Sequence, residues 1–328
     1  LQYEATISGG LVFLEKDNVR KFSLYFIVIA TLAFFFPCHT LSKPRNTAEI
    51  EYNSLHATER STFRLSEVEQ RNAISQAYEQ GFRQKLSDTH LRSASDDDLI
   101  WFIKAASLAS VYSRQPLPLQ DLRLILSESE RRGITTDDQR TTFYRVLIGY
   151  RQFDEARDYL DKHPSLDVEQ PPAIGVSTES ENGKEQAYVV DQEQHRLLPH
   201  LFHLSEGTHL IVISHPLCAF SRSAMETVET DPELSQAFDG VATWLTPVDT
   251  RLHFNKVQTW NRDHPKTQVV IARHRQDWPM IDSWATPNFY LLRNGEVLDH
   301  FSGWPRDGSN RERLIQMLNR GSLLPRPQ

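Results

Sequence analysis

The chain has 328 residues, 39% of them hydrophobic and 24% charged. That is enough apolar surface to bury a core, which excludes a chain disordered throughout. Its 36 Lys and Arg against 43 Asp and Glu leave a net charge of −7, which excludes a general nucleic-acid binder, because displacing phosphate counterions needs a basic face. Two cysteines exclude a disulfide-stapled scaffold and a cysteine-rich zinc module.

At about 150 residues per domain, this length predicts two domains. The first legible element is an uncharged apolar run from Phe22 to Pro37 that follows Arg20 and Lys21. A basic flank before a short apolar core is the pattern of a secretory signal, and the run falls short of the ~20 residues of a spanning helix. Residues 19–42 are therefore expected to be a signal peptide, cut before Lys43 after the small residues Thr40 and Ser42. The expected location is the periplasm or envelope of a bacterial host. A lipid on Cys38 or an uncleaved signal anchor would be the routes to a membrane, but bulky Phe35-Phe36-Pro37 stand where a lipid-attachment motif needs small residues. Residues 1–18 precede the basic flank and do not begin with Met; the expectation is an upstream stretch outside the natural product, with the start at Val19. Loss of Cys38 would leave Cys218 as the one cysteine. A lone thiol in an oxidising compartment is either buried and inert or reactive and used.

Residues 43–60 are polar, with Lys43-Pro44-Arg45-Asn46 at their head, and read as a linker. Residues 61–168 carry helical periodicity and are predicted as an all-α domain. Val68, Ala73, Ile74, Ala77, Tyr78 and Phe82 recur near helical spacing. Ser93 or Ser95 caps a second helix behind Asp96-Asp97-Asp98, whose apolar face would carry Leu99, Ile100, Ile103, Leu108 and Val111. Pro116 and Pro118 break it, a further helix ends at Gly133, and Thr136 caps the next. The final helical pair, ending at Pro164, resembles a tetratricopeptide-type hairpin, with Tyr150, Phe153, Ala156 and Leu160 at its packing positions. One such unit is far from the three that an array needs. A small bundle is the plain reading and a partner-binding surface the functional one. Gln170-Pro171-Pro172 and the Ser-, Glu- and Gly-bearing stretch to Gly183 make 169–185 a second linker. Residues 186–322 then form the carboxy-terminal domain and 323–328 a tail.

The chemistry lies in that last domain. Thr208 to Ser214 read as a buried strand, a turn carries Cys218, and a helix begins at the cysteine. A thiol at a helix amino terminus faces unpaired N–H groups and the positive end of the dipole, so its pKa is expected below the free value of about 8.5. His215, three residues earlier, is a candidate base or a thiolate-stabilising cation. Downstream, Asn294-Gly295 between Phe289–Leu292 and Glu296–Leu298 signals an antiparallel hairpin, with Pro287 just before it and a helix near 312–318.

In this order the residues from about Ala187 to Arg320 resemble the thioredoxin-like superfamily. Cys218-Ala219-Phe220-Ser221 falls where that family has Cys-x-x-Cys, and Thr286-Pro287 falls where it has a cis-proline beside the reactive sulfur. The resemblance implies an α+β or α/β fold in which a central mixed sheet flanked by helices follows the all-α domain. It implies thiol–disulfide exchange at Cys218, with Thr286 offering backbone hydrogen bonds to a bound peptide. The implied partners are thiol-containing client proteins or low-molecular-weight thiols, and no cofactor or metal is expected. A protein partner on the helical domain is a further possibility. Ser221 replaces the resolving cysteine, which leaves monothiol chemistry, and can still hydrogen-bond the Cys218 thiolate. His215-Pro216-Leu217 stand where the family has a tryptophan, and residues 250–284, with Trp260, His264, His274 and Trp278, read as an insertion forming a lid or helical cap. Asp249 is a candidate buried acid near the sulfur. Trp284 and Trp304 read as core or rim aromatics by the proline loop. His195, His200 and His203 read as surface residues, the last two sharing a helical face. Two other functions compete with exchange: a non-catalytic binding module in which Cys218 is incidental, and a copper-handling protein using His215 and Cys218.

Overall fold

The computed structural model describes residues 47–113, 115–176 and 185–324. The expectations for residues 1–42, including the signal, Cys38 and the start, lie outside these, as do residues 177–184 of the second linker and the end of the tail.

Among the described residues, seven α-helices come first: α1 (Thr47–Ser61), α2 (Glu67–Phe82), α3 (Asp88–Ser93), α4 (Asp96–Ser113), α5 (Pro116–Arg131), α6 (Asp137–Gly149) and α7 (Phe153–Lys162). The first corrects the linker expected over 43–60. Its polar residues are the solvent face of a helix that buries Ala48 and Leu55, two turns apart, and leans Tyr52 on Trp101 at 5.3 Å. A stripe this thin has no strong periodic signal, so packing on α2 and α4 decides it. In α2, Ile74, Tyr78 and Phe82 recur every fourth residue and are buried, whereas Val68, the second residue of the helix, is exposed. Ser66 and Glu69 form a reciprocal capping box at its start. Ser95, rather than Ser93, caps α4, its hydroxyl accepting from the Asp98 N–H at 3.1 Å. Pro116 opens α5 instead of delaying it, because the first helical position needs no N–H. Thr136 and Gln139 box the start of α6. In the α6–α7 hairpin, Phe153, Ala156 and Leu160 are buried as their spacing predicts, while Tyr150 is only half-buried.

The remainder is a mixed sheet: β1 (Ala173–Ile174), β2 (Gln186–Asp191), β3 (Arg196–Leu201), β4 (Thr208–Ile213), β5 (Ala242–Thr246), β6 (Val269–Ala272), β7 (Asn288–Arg293) and β8 (Glu296–Ser302). Interleaved are α8 (Ala219–Thr230), α9 (Pro232–Phe238), α10 (Phe254–Asp263) and α11 (Arg311–Gly321). The strand order is β1-β3-β2-β6-β5-β4-β7-β8. Strands β6, β5 and β4 are mutually parallel, and β7 and β8 continue the sheet antiparallel. The Asn294-Gly295 hairpin forms with φ of 54° and 82°, the left-handed values that favour these two residue types. The centre of the sheet, at β4 and β7, is buried on both faces. Along β4, Leu210 and Val212 join the core under the helical region, and Ile211 and Ile213 join a second core with Leu245, Trp278 and Tyr290. Two covered faces account for the unbroken apolar run of this strand.

Two further expectations change here. Residues 250–284 are not an insertion over the site, because they supply α10 and β6, and β6 pairs between β2 and β5. In the run Val269-Val270-Ile271-Ala272 three residues are buried and Val270 is partly buried, so both faces are covered, as fits a strand inside the sheet. The stretch from 169, expected as a free linker, is packed: the Glu169 carboxylate accepts from the Phe254 and Asn255 N–H groups at 3.0 and 2.9 Å, and its carbonyl accepts from the Tyr144 hydroxyl. Helices and sheet share one continuous apolar core. Arg151, in the α6–α7 turn at φ 58°, crosses between them and donates to the Ala272 carbonyl at 2.9 Å. Among the described residues, no helix is long and apolar enough to cross a membrane.

Candidate functional site

At the carboxyl end of β4, the Ser214 N–H still pairs with Leu245 at 2.9 Å, and the chain then turns so that the Cys218 N–H meets the His215 carbonyl at 2.9 Å. Cys218 is the N-cap of α8, and its own carbonyl accepts from the Arg222 N–H. The side chain is half-buried. Opposite it, the Thr286–Pro287 peptide bond is cis, and the thiol donates to the Thr286 carbonyl at 3.4 Å. Burial pushes the thiol pKa up, but the Thr286 side chain, the N–H and hydroxyl of Ser221 and the N–H of Phe220 all favour the thiolate, and the net shift is downward. The Thr286 side chain, from across the site, lowers it most, and the first-turn N–H groups of Ser221 and Phe220 add to this.

Ser221 is fully buried and accepts from the His215 N–H at 3.3 Å, so it ties the turn before the cysteine to the helix after it. His215 itself corrects the cationic role expected of it. Burial, reinforced by the nearby His253, drives its pKa down to about 4, and Asp249 only partly offsets this. The ring is neutral at pH 7. Its Nδ1 accepts from the Leu217 N–H at 3.0 Å, which leaves the proton on Nε2 and the Nδ1 lone pair already engaged. Asp249 is not a buried acid. It is exposed, and its carboxylate accepts from the Arg251 N–H and the Thr250 side chain of its own turn.

The loop carrying Thr286 is held from below and from the side. Tyr290, buried on β7, donates to Asp282 at 2.6 Å and accepts from the Ser283 N–H at 3.1 Å and from Asn288 Nδ2 at 2.9 Å. Asn288, fully buried, accepts from the Ser302 hydroxyl at 2.8 Å. From the helical region, Glu67 accepts the Trp284 N–H at 2.9 Å and pairs with Arg275, whose guanidinium lies 5.5 Å over the Trp284 ring. Burial lowers the Arg275 pKa, and Glu67 is the first of the charges that oppose this.

Cys218, His215 and Thr286 open onto one cleft of about 610 Å³, which Glu67 and Arg71 of α2 and Val111 and Tyr112 from the end of α4 also line. A cavity of this size suits a small molecule or a short peptide segment. Val111, expected in the apolar core of α4, is 43% exposed, and Leu217 is 46% exposed; both are apolar surface beside the sulfur. Trp284 is buried at the rim, and Trp304 is buried 5.9 Å from Phe289. His200 and His203 share no helical face, because His200 lies on β3. His195 turns to Gln258 at 3.0 Å. Among the described residues no group of three or more His, Cys, Asp or Glu is placed to hold a metal ion.

Cys218, Ser221, His215, Thr286 and Pro287 come together at this end of the sheet. The contributions of Glu67, Arg275 and Tyr290 were not foreseen. Glu67 reads in sequence only as an acid favouring a helix start, and 208 and 217 residues separate it from its partners. A scan against protein-family models finds no match, and neither a search of curated proteins nor one of solved structures returns a match.

Proposed function

We propose that the chain is a monothiol exchange protein built on a thioredoxin-like arrangement and exported to the cell envelope. One observation carries the exchange reading: a half-buried thiol at a helix amino terminus, with its pKa lowered, donates to the carbonyl that precedes a cis-proline. The order β6-β5-β4-β7-β8, with the cysteine leaving β4 and the proline entering β7, supports the family resemblance. The export reading is supported by the apolar run 22–37 after Arg20 and Lys21.

The chemistry needs no cofactor. The Cys218 thiolate attacks one sulfur of a disulfide RS–SR. A Cys218–S–S–R bond forms, the original S–S bond breaks, and RS⁻ leaves with the electron pair and takes a proton from water. Ser221 cannot complete the cycle inside the site, so a second thiolate from solution or from a client releases the mixed disulfide. No net oxidation occurs. The partners are therefore client thiols or low-molecular-weight thiols. The copper-handling alternative gains no support, because the Nδ1 of His215 is engaged by Leu217.

Incubation of the full chain with oxidised glutathione, followed by intact mass measurement, tests the proposal. With Cys38 replaced by Ser in both forms, one glutathione adduct is expected on the otherwise wild-type chain and none when Cys218→Ser is added, with an alkylation pKa below the free value of about 8.5. An inert thiol, or one titrating at or above that value, would reject exchange and leave a binding module.

A further inference from the structure

The site has a wall that a strand–cysteine–helix unit does not supply, built from α2 and the end of α4, and Glu67 in the first turn of α2 is part of it. We propose that Glu67 is a positioning residue for the Cys218 site, through which the helical region fixes the backbone that faces the sulfur. This rests on the exchange reading and deepens it, because it makes reactivity at Cys218 a property of both halves of the chain.

The argument follows a short path of contacts. The Glu67 carboxylate accepts the backbone N–H of Trp284 at 2.9 Å. Two residues later the Thr286 carbonyl accepts the thiol at 3.4 Å. The other carboxylate oxygen pairs with Arg275, and Arg275 covers the Trp284 ring at 5.5 Å. The carboxylate thus grips this loop by its backbone and, through Arg275, by its side chain. The ring of Trp284 is 6% exposed, so a shift of the loop would have to unpack it. On the sheet side, Tyr290 and Asn288 hold Ser283 and the strand after the proline. Glu67 holds the intervening stretch, which has no partner strand. Its own place is set independently by the capping box of Ser66 and Glu69, which anchors the first turn of α2. Glu67 touches neither the thiol nor any reacting atom. It does not figure among the groups that shift the Cys218 pKa, so its effect is geometric rather than a direct charge effect.

Two conservative variants separate reach from charge. Glu67→Gln keeps an acceptor at the same reach for the Trp284 N–H and gives up the charge and the pairing with Arg275. Glu67→Asp keeps the charge and withdraws the acceptor by one methylene, roughly 1.5 Å. The full chain in each form is alkylated with iodoacetamide across pH and treated with oxidised glutathione. Glu67→Asp is expected to raise the thiol pKa and slow alkylation at pH 7 by about threefold, corresponding to about half a pKa unit. Glu67→Gln is expected to stay within about 1.5-fold of wild type on the same scale. The reverse pattern, with Asp like wild type and Gln displaced, would make the role electrostatic and overturn the proposal. Two unchanged profiles would overturn it as well. If the wild-type thiol itself is inert, the exchange reading fails; if it is reactive and the variants contradict the pattern, only the role of Glu67 fails.

Discussion

The helical region and the sheet region handle their buried polar groups in opposite ways. Inside the helices, Tyr78 donates to Asp121 at 2.8 Å; the pair is closed, and burial raises both pKa values. At the carboxyl ends of the parallel strands, Cys218 and His215 are partly or largely desolvated and still face a cleft. A closed pair contributes to stability and rigidity, whereas a perturbed group at an open edge is available to a ligand. The contrast teaches where to look for chemistry in this chain, namely where the backbone leaves the sheet. The halves nevertheless share one apolar core, so the division is one of chemistry and not of folding.

The comparison is broken most forcefully by cavities on the two sides. Trp278→Ala, at a fully buried site behind the sheet, and Phe82→Ala, at one under the helices, are each expected to cost about 3–5 kcal/mol. Because the core is shared, urea unfolding followed by far-UV circular dichroism and by tryptophan fluorescence should show one coincident transition in wild type. Two separated midpoints would mean that the halves unfold independently.

A change of similar size is expected from pH on the sheet side. His215 has a folded pKa of about 4 against about 6.5 unfolded. The unfolded chain therefore takes up this proton first as pH falls. The stability contributed by the neutral ring is complete above about pH 6.5 and declines toward pH 4, by up to about 3 kcal/mol. In His215→Phe the drop over this window should be smaller than in wild type by that amount. Equal pH slopes in the two proteins would show that the ring protonates without penalty.

The smallest effect sharpens the contrast. Tyr78→Phe leaves Asp121 without its donor and is expected to cost about 1–3 kcal/mol, while the pH profile of Cys218 alkylation stays at wild type. A shifted profile would show that the helical interior couples to the thiol by a route other than Glu67.

Much of this layout was legible before folding. Thr136 marked a helix start because an N-cap acts only on its own first turn, whereas the capping box of Ser66 and Glu69 emerged with the structure. Asn294-Gly295 marked the hairpin because only such residues accept its backbone angles without cost. The four-residue apolar run of β4 and the cysteine after it placed the thiol at a helix amino terminus. The failures share a cause. The helix of 47–61 buries too few residues to have a periodic signature, and β6 was hidden in a segment whose pairing partners β2 and β5 lie elsewhere in the chain. The state of His215 also escaped, since burial and His253 decide it and neither is written beside it.

What the sequence determined by itself is what depends on neighbours within a few positions: caps, turns, strand and helix periods, and a sulfur at the first turn of α8. What only the tertiary structure decided is what depends on residues far apart along the chain. This includes the neutrality of His215, the inclusion of 250–284 in the sheet, and the grip of Glu67 on the loop that faces Cys218. The physical reason is that local backbone preferences act over one or two turns, whereas desolvation and the closing of an ion pair across the core exist only once the distant segments have packed.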